Sequence, residues 1–295
     1  MDYDKTSAAP GDEAWNWKSV SATLLVVVCF LMLFRNIIAE LVQDWIKDDN
    51  YSHGFLIVPL ALYFAWERRV RFFMAERRPS LLGALLFVPA ILAAVMDMHP
   101  FVNRMAMLLC LVGAVAFLSG WARLKVMIFP IAFLLLMIPI PAVVFNPIAL
   151  PLQLIASRVG EWTLMLFQVP VLREGNIIQL ANTSLEVAEA CSGIRSLISL
   201  LTLAIVYGYF VESRMWVRVA LAFASVPVAI VANGLRVAGT GLAAHYYGPE
   251  AAEGFFHSFS GWLVFIVAFI FLFFVHRVLV LFGKSKAKTS ADAAA

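Results

Sequence analysis

The stretch Glu186-Val187-Ala188-Glu189-Ala190-Cys191-Ser192-Gly193-Ile194-Arg195-Ser196-Leu197 opens an apolar run that continues to Val211. A thiol, a hydroxyl, a glycine and a guanidinium fall together at the mouth of a segment that is long and apolar enough to be a transmembrane helix. Charge at membrane depth is costly, so ionisable residues there default to a functional reading. Ser192 suits the N-cap, because its hydroxyl can accept from an unpaired N–H of the first turn. Cys191 then precedes the helix N-terminus, whose dipole favours a thiolate. If the helix begins one turn earlier, Cys191 and Arg195 are i,i+4 neighbours on one face. Either geometry lowers the thiol pKa. A buried small cysteine beside an arginine that snorkels to the interface has the same local sequence. The stretch alone leaves both readings open.

The rest of the chain settles the class. Of 295 residues, 62% are hydrophobic and only 14% charged, which describes a polytopic membrane protein and not a soluble domain with one core. A net charge of +3 is too small to argue for nucleic acid. Of three cysteines, Cys29 and Cys110 lie inside apolar runs and only Cys191 has polar neighbours, so no paired disulfide framework is expected. The first apolar run lacks a small-residue cleavage site at its end and reads as a retained helix.

Eight spans are expected, at about 19–41, 54–67, 80–96, 104–120, 126–145, 194–211, 217–235 and 261–282. They make one transmembrane domain over 18–282, an all-α bundle, between a polar tail at 1–17 and a basic tail at 283–295. Pro139, Pro141 and Pro147 are expected to break the fifth span. Residues 146–192 differ in kind. Leu150–Phe167 reads as an amphipathic helix near the interface. Arg173-Glu174-Gly175-Asn176 reads as a turn, and Ile177–Leu180 with Ser184–Val187 as a small hairpin. Asn182-Thr183-Ser184 matches a glycosylation sequon, but a turn explains it. No internal repeat of the kind found in many transporters is present.

Lysine and arginine set the orientation. With eight spans, the side holding both tails and the loops at 68–79, 121–125 and 212–218 collects fifteen of the 22 basic residues. The other side holds Arg35, Lys47, Arg104, Arg158, Arg173, Arg195 and Arg236. Both termini are therefore expected in the cytoplasm, with 146–192 and the loop at 236–260 facing outward. Cys191 and Arg195 then open span six, Asn233 and Arg236 close span seven, His257 precedes span eight, and Tyr51 and His53 open span two, all at one depth. A thiol, guanidiniums and imidazoles at one depth are the groups that acyl transfer through a thioester requires. Each also has a plainer role: Arg236 can cap carbonyls at a helix end, and His257, His53 and His99 can be solvated loop residues. His276 is expected at the interface near the cytoplasmic end of span eight. No metal or cofactor is called for.

Glu-Ala-Cys-Ser-Gly-Ile-Arg-Ser-Leu at 189–197, Asn-x-Leu-Arg at 233–236, His-Ser-Phe-Ser-Gly-Trp at 257–262 and Tyr-Ser-His-Gly-Phe at 51–55 together resemble the exosortase/archaeosortase family, over roughly residues 45–275. The resemblance implies a bacterial inner-membrane cysteine transpeptidase. Its partners would be exported proteins whose C-terminal sorting signal is a short motif, a hydrophobic span and a basic tail. Cys191 maps to the nucleophile, Arg236 to the family's arginine as oxyanion stabiliser or proton donor, and His257 to its general acid/base or second stabiliser. Arg195, Ser192, Asn233, Glu189, His53 and Tyr51 are supporting candidates; Glu186 and Glu189 could dock polar substrate groups or be solvated. The acyl-enzyme would be resolved by water or by an acceptor nucleophile from the envelope or an exopolysaccharide. Two rivals remain at this level. One is an intramembrane cysteine protease without ligation. The other is a non-enzymatic transporter or exopolysaccharide-assembly protein, though a transporter should carry its polar groups in mid-span.

Overall fold

The computed structural model describes residues 17–181, 183–186, 193–250, 263 and 265–281. The protein is a predominantly helical membrane protein that divides into two compact units, Met1–Asp44 with Leu60–Ile138, and Trp45–Pro59 with Pro139–Ala295. Helices Pro100–Ser119 and Met215–Tyr247 are each long and apolar enough to cross a bilayer, and a bent pair makes a third candidate. Among the described residues, the shorter apolar helices Gly54–Glu67, Leu81–Val95, Leu197–Val211 and Phe265–Leu281 accompany them.

The bent pair replaces the expected first span. Helix α1 (Trp17–Leu33) gives way to α2 (Arg35–Lys47), and the two segments meet at 65°. The bend falls at Phe34, and Arg35 and Asn36, which are costly in lipid, open the second segment. Helix α2 instead buries Ile37 and Leu41 on one side and exposes Arg35, Asn36 and Glu40 on the other. Next come α3 (Gly54–Glu67), the short α4 (Arg69–Met74), α5 (Ala84–Val95), α6 (Pro100–Ser119) and α7 (Trp121–Phe133). In the first unit, α5 and α6 cross closely. A Cβ on Gly113 would sit 2.7 Å from the Phe87 nitrogen, so only glycine permits the approach. Phe64, Phe129 and Phe133 form an aromatic cluster. Gly120, at φ +91°, turns the chain from α6 to α7. Arg104, buried on α6, pairs with Asp44 at 2.6 Å.

The fifth expected span is interrupted at two of the three expected prolines. Helix α7 ends at Phe133 and a 3-10 turn follows at Leu134–Met137. Pro139 and Pro141 lie in the break, whereas Pro147 lies inside α8 (Ala142–Leu166). That single 25-residue helix takes the place of the shorter interfacial helix expected from Leu150.

In the second unit, α8 leads into a three-stranded antiparallel sheet, β1 (Leu172–Glu174), β2 (Ile177–Gln179) and β3 (Ser184–Glu186), in that order. The turn expected over 173–176 is shorter than read: Leu172–Glu174 pairs as a strand, and Gly175, at φ +64°, makes the turn with Asn176. Ile178 and Leu185 point inward, and Ile178 packs with Ala156, Leu164, Val169, Val237 and Ala238. Ser157 on α8 donates to the Gly175 carbonyl at 3.0 Å, and Arg173 pairs with Glu161 at 2.7 Å. These contacts fasten the sheet to α8.

The remaining helices are α9 (Gly193–Val211), α10 (Met215–Tyr247) and α11 (Phe265–Leu281). Leu200, Ala229, Ala232 and Ala268 form one core cluster across them, and Ala204, Val217, Leu221 and Leu272 a second. Helix α10 runs twelve residues past the expected end at 235. Gly234, inside the helix, serves packing: a Cβ there would lie 2.6 Å from Val159 Cβ and 2.9 Å from the Ala156 carbonyl. At 33 residues α10 is about 49 Å long, well beyond a hydrocarbon core of about 30 Å.

Candidate active site

The decisive stretch lies between two fixed points. Strand β3 ends at Glu186, and Leu185 beside it packs on Gly241 of α10, where an added Cβ would meet Leu185 Cδ1 at 3.3 Å. Helix α9 starts at Gly193 and packs along α10 through Leu197, Leu200, Ala229 and Ala232. Cys191, Ser192 and Glu189 fall between these points and lie outside the described residues, as does His257. Arg195 lies in the first turn of α9.

Arg236 is half-buried on α10, three residues after Asn233. Asn233 is 2% exposed, and its Oδ1 has no hydrogen-bond partner among the described residues. Leu197 of α9 and Asn233 of α10 share the wall of one small cavity with Gln153 and Ala156 of α8. Leu197, in the second turn of α9, and Asn233 of α10 are thus neighbours in the second unit.

The early motif enters the same unit. The 3-10 turn Asp49–Tyr51 packs beside α9. The Tyr51 hydroxyl reaches the Ile140 carbonyl at 3.5 Å, the outer limit of a hydrogen bond. The rings of Tyr51 and His53 lie 6.4 Å apart. The His53 carbonyl accepts from Leu56 and Ile57 to start α3, and Gly54 leaves room for the Trp45 indole. The Tyr-Ser-His-Gly motif is therefore at least a helix-starting turn with a tight aromatic contact.

Gln153 was missed in the sequence. Its signal was available: it is the sole polar side chain between Pro147 and Ser157, and an isolated amide in such a run needs a partner.

A second polar cluster occupies the opposite end of α9. Tyr207 OH lies 2.8 Å from His276 Nδ1, and His276 Nε2 lies 3.4 Å from Glu212 Oε2. Glu212 also takes Arg214 Nε at 3.0 Å and an Nη at 2.8 Å, while Arg218 donates to the Glu212 carbonyl at 2.6 Å. Hydrogen bonding from Arg214 holds the Glu212 carboxyl well below the usual carboxylate range. His276, expected at the interface, is buried at 6% exposure, because Tyr207 and Glu212 give both ring nitrogens a partner. No group of His, Cys, Asp and Glu suited to a metal occurs among the described residues.

No curated protein and no solved structure matches this chain. A family model for transmembrane exosortases does match, over residues 45–274, which takes in all four motifs. A family linked to protein sorting thus accounts for most of the sequence: the chain belongs to the transmembrane exosortases.

Proposed function

We propose that this exosortase is a cysteine transpeptidase or peptidase that removes the C-terminal sorting signal of exported proteins through a thioester on Cys191. The observation that carries the reading is the family match across 45–274, which contains Cys191, Arg236 and His257 in one chain order. The shared cavity of Leu197 on α9 and Asn233 on α10, which brings the two motif-bearing helices together, supports it.

In this mechanism the Cys191 thiolate attacks the scissile carbonyl, and Arg236 stabilises the oxyanion that forms. The tetrahedral intermediate collapses, the C–N bond breaks, and the leaving amine takes a proton from His257. Water or an acceptor amine or hydroxyl then attacks the thioester and regenerates the thiolate. Arg195 and Glu189 assist by holding charge near the thiol. Hydrolysis and ligation share every step up to the last.

The basic residues favour both termini in the cytoplasm, and the resemblance to bacterial exosortases implies an inner-membrane protein. Arg69 stacks on Trp66 at 4.0 Å, Arg123 on Phe72 at 5.1 Å and Arg214 on Trp216 at 5.8 Å, the three arginines all lying in the loops assigned to the cytoplasm. Arginine with tryptophan suits a headgroup interface. A substrate with a basic tail obeys the same charge rule, so its motif reaches the outer interface, where Cys191 is placed by this topology. Mass spectrometry of enzyme trapped with substrate tests the proposal. A peptide linked to Cys191 and released by hydroxylamine is expected; normal processing with no such adduct, and with Cys191 replaced, would overturn it.

A further inference from the structure

The cavity under the start of α9 measures about 10 Å³, the room that a single water occupies. Its walls are apolar except for Asn233 of α10 and Gln153 of α8. Asn233 is 2% exposed and its Oδ1 is unpartnered among the described residues. Among the described residues, nothing replaces the hydrogen bonds to solvent that this buried carbonyl oxygen has given up. A leucine of nearly the same shape would remove the deficit. An asparagine at this place therefore implies a ligand or a task.

We propose that Asn233 and Gln153 hold one buried water between α8, α9 and α10, and that this bridge positions Arg236 against the start of α9. Asn233 Oδ1 accepts one water hydrogen. The Gln153 carboxamide, which carries both donors and an acceptor, supplies the second contact. Two polar partners meet the lower requirement for a buried water. A cation would demand more oxygen ligands than these walls carry, and no organic group fits the volume. Arg236 follows Asn233 within one turn of α10, and Gly234 between them is wedged against Val159. A shift of α10 at Asn233 therefore carries Arg236 with it. Asn233 is a positioning residue in this scheme, and the scheme rests on the role proposed for Arg236.

The test is processing, in host cells, of a reporter fused to a C-terminal sorting signal from the same organism, with the melting temperature of each full-length variant measured in detergent. Asn233→Leu fills the cavity and expels the water. Its processing should fall by about tenfold or more, with a melting temperature equal to or above that of the unaltered protein. Asn233→Ser keeps an acceptor and the space for water, and should process several-fold faster than Asn233→Leu. Gln153→Leu should be as slow as Asn233→Leu, and the double Leu variant no slower than either, since each change breaks the same bridge. Normal processing by Asn233→Leu overturns the proposal, as does a serine variant as slow as leucine or a double variant that compounds the two losses. If Asn233→Leu does not accumulate, Gln153→Leu, expected to be slow, decides the matter: normal processing by it overturns the bridge. Cys191→Ala in the same assay separates the two ideas. If it still processes, the thioester reading fails while the leucine and serine contrast still judges the bridge. If it is inactive and Asn233→Leu is normal, the bridge alone fails.

Discussion

Gly234 and Val159 meet where α10 crosses α8, so closely that a methyl on Gly234 would lie 2.6 Å from Val159 Cβ. Gly239, five residues on, has nothing within 4 Å of the same position. Gly234→Ala should therefore destabilise the protein: overpacking costs about 1–3 kcal/mol, more than the roughly 0.5–1 kcal/mol gained by alanine in a helix. Gly239→Ala keeps only the gain. Thermal unfolding of both variants in detergent should move in opposite directions, and a rise in both would show that the crossing has slack.

Glu212 gives the far end of α9 an acid limit. Arg214 holds its carboxyl low, and a carboxylate held low contributes stability that is complete above its unfolded pKa of about 4.3. That contribution is lost as pH falls from there toward and through the folded pKa. The melting temperature should drop in this acid window. In Glu212→Gln it should start lower, by about 1–3 kcal/mol of stability, and change less with acid. An unchanged acid limb in the Gln variant would assign the limb to other carboxylates.

Helix content and the polar ends of the helices were legible in the sequence because lipid forces long apolar runs with charges at their limits. The hairpin was legible in Ile177–Gln179 and Ser184–Glu186, where alternation is clean. Strand Leu172–Glu174 was hidden, since Arg173 and Glu174 look like turn residues; the Arg173–Glu161 pair that makes the strand useful is set by α8, which local pattern does not reveal. The extent of α10 was hidden for a similar reason. Asn233-Gly234 looks like a stop, and only the presence of Val159 explains a mid-helix glycine. The partners of His276 were hidden as well, because Glu212 and Tyr207 are 64 and 69 residues away in sequence. Of the candidate site, the sequence offers motifs; the packing of α8, α9 and α10 around Leu197 and Asn233 was not legible, because it joins residues far apart in the chain.

Replacing Cys191 should separate chemistry from structure. Cys191→Ala is expected to abolish processing, while Cys29→Ala and Cys110→Ala leave it intact. Cys29 is exposed on α1 and Cys110 is buried in α6 among apolar side chains, whereas Cys191 stands two residues before α9, beside a helix terminus that favours a thiolate. The readout is the size shift of a processed substrate in cells with expression matched by immunoblot. Processing retained in Cys191→Ala would exclude the thioester.

Arg236→Lys and His257→Ala should both impair processing while the proteins still insert and fold. Arginine offers a planar fork that can hold an oxyanion and a neighbouring carbonyl at once, whereas lysine offers a point charge on a flexible stem. Loss of one such stabiliser costs about 3–4 kcal/mol of barrier, or roughly a hundred- to a thousandfold in rate. A proton carrier such as His257 is worth roughly a hundred- to ten-thousandfold. An Arg236 that only caps carbonyls or snorkels would accept lysine with little loss, and a solvated loop His257 would accept alanine. Processing measured at matched expression distinguishes these cases. Near-normal Arg236→Lys would reduce Arg236 to a positional charge, and near-normal activity in both variants would leave Cys191 without partners.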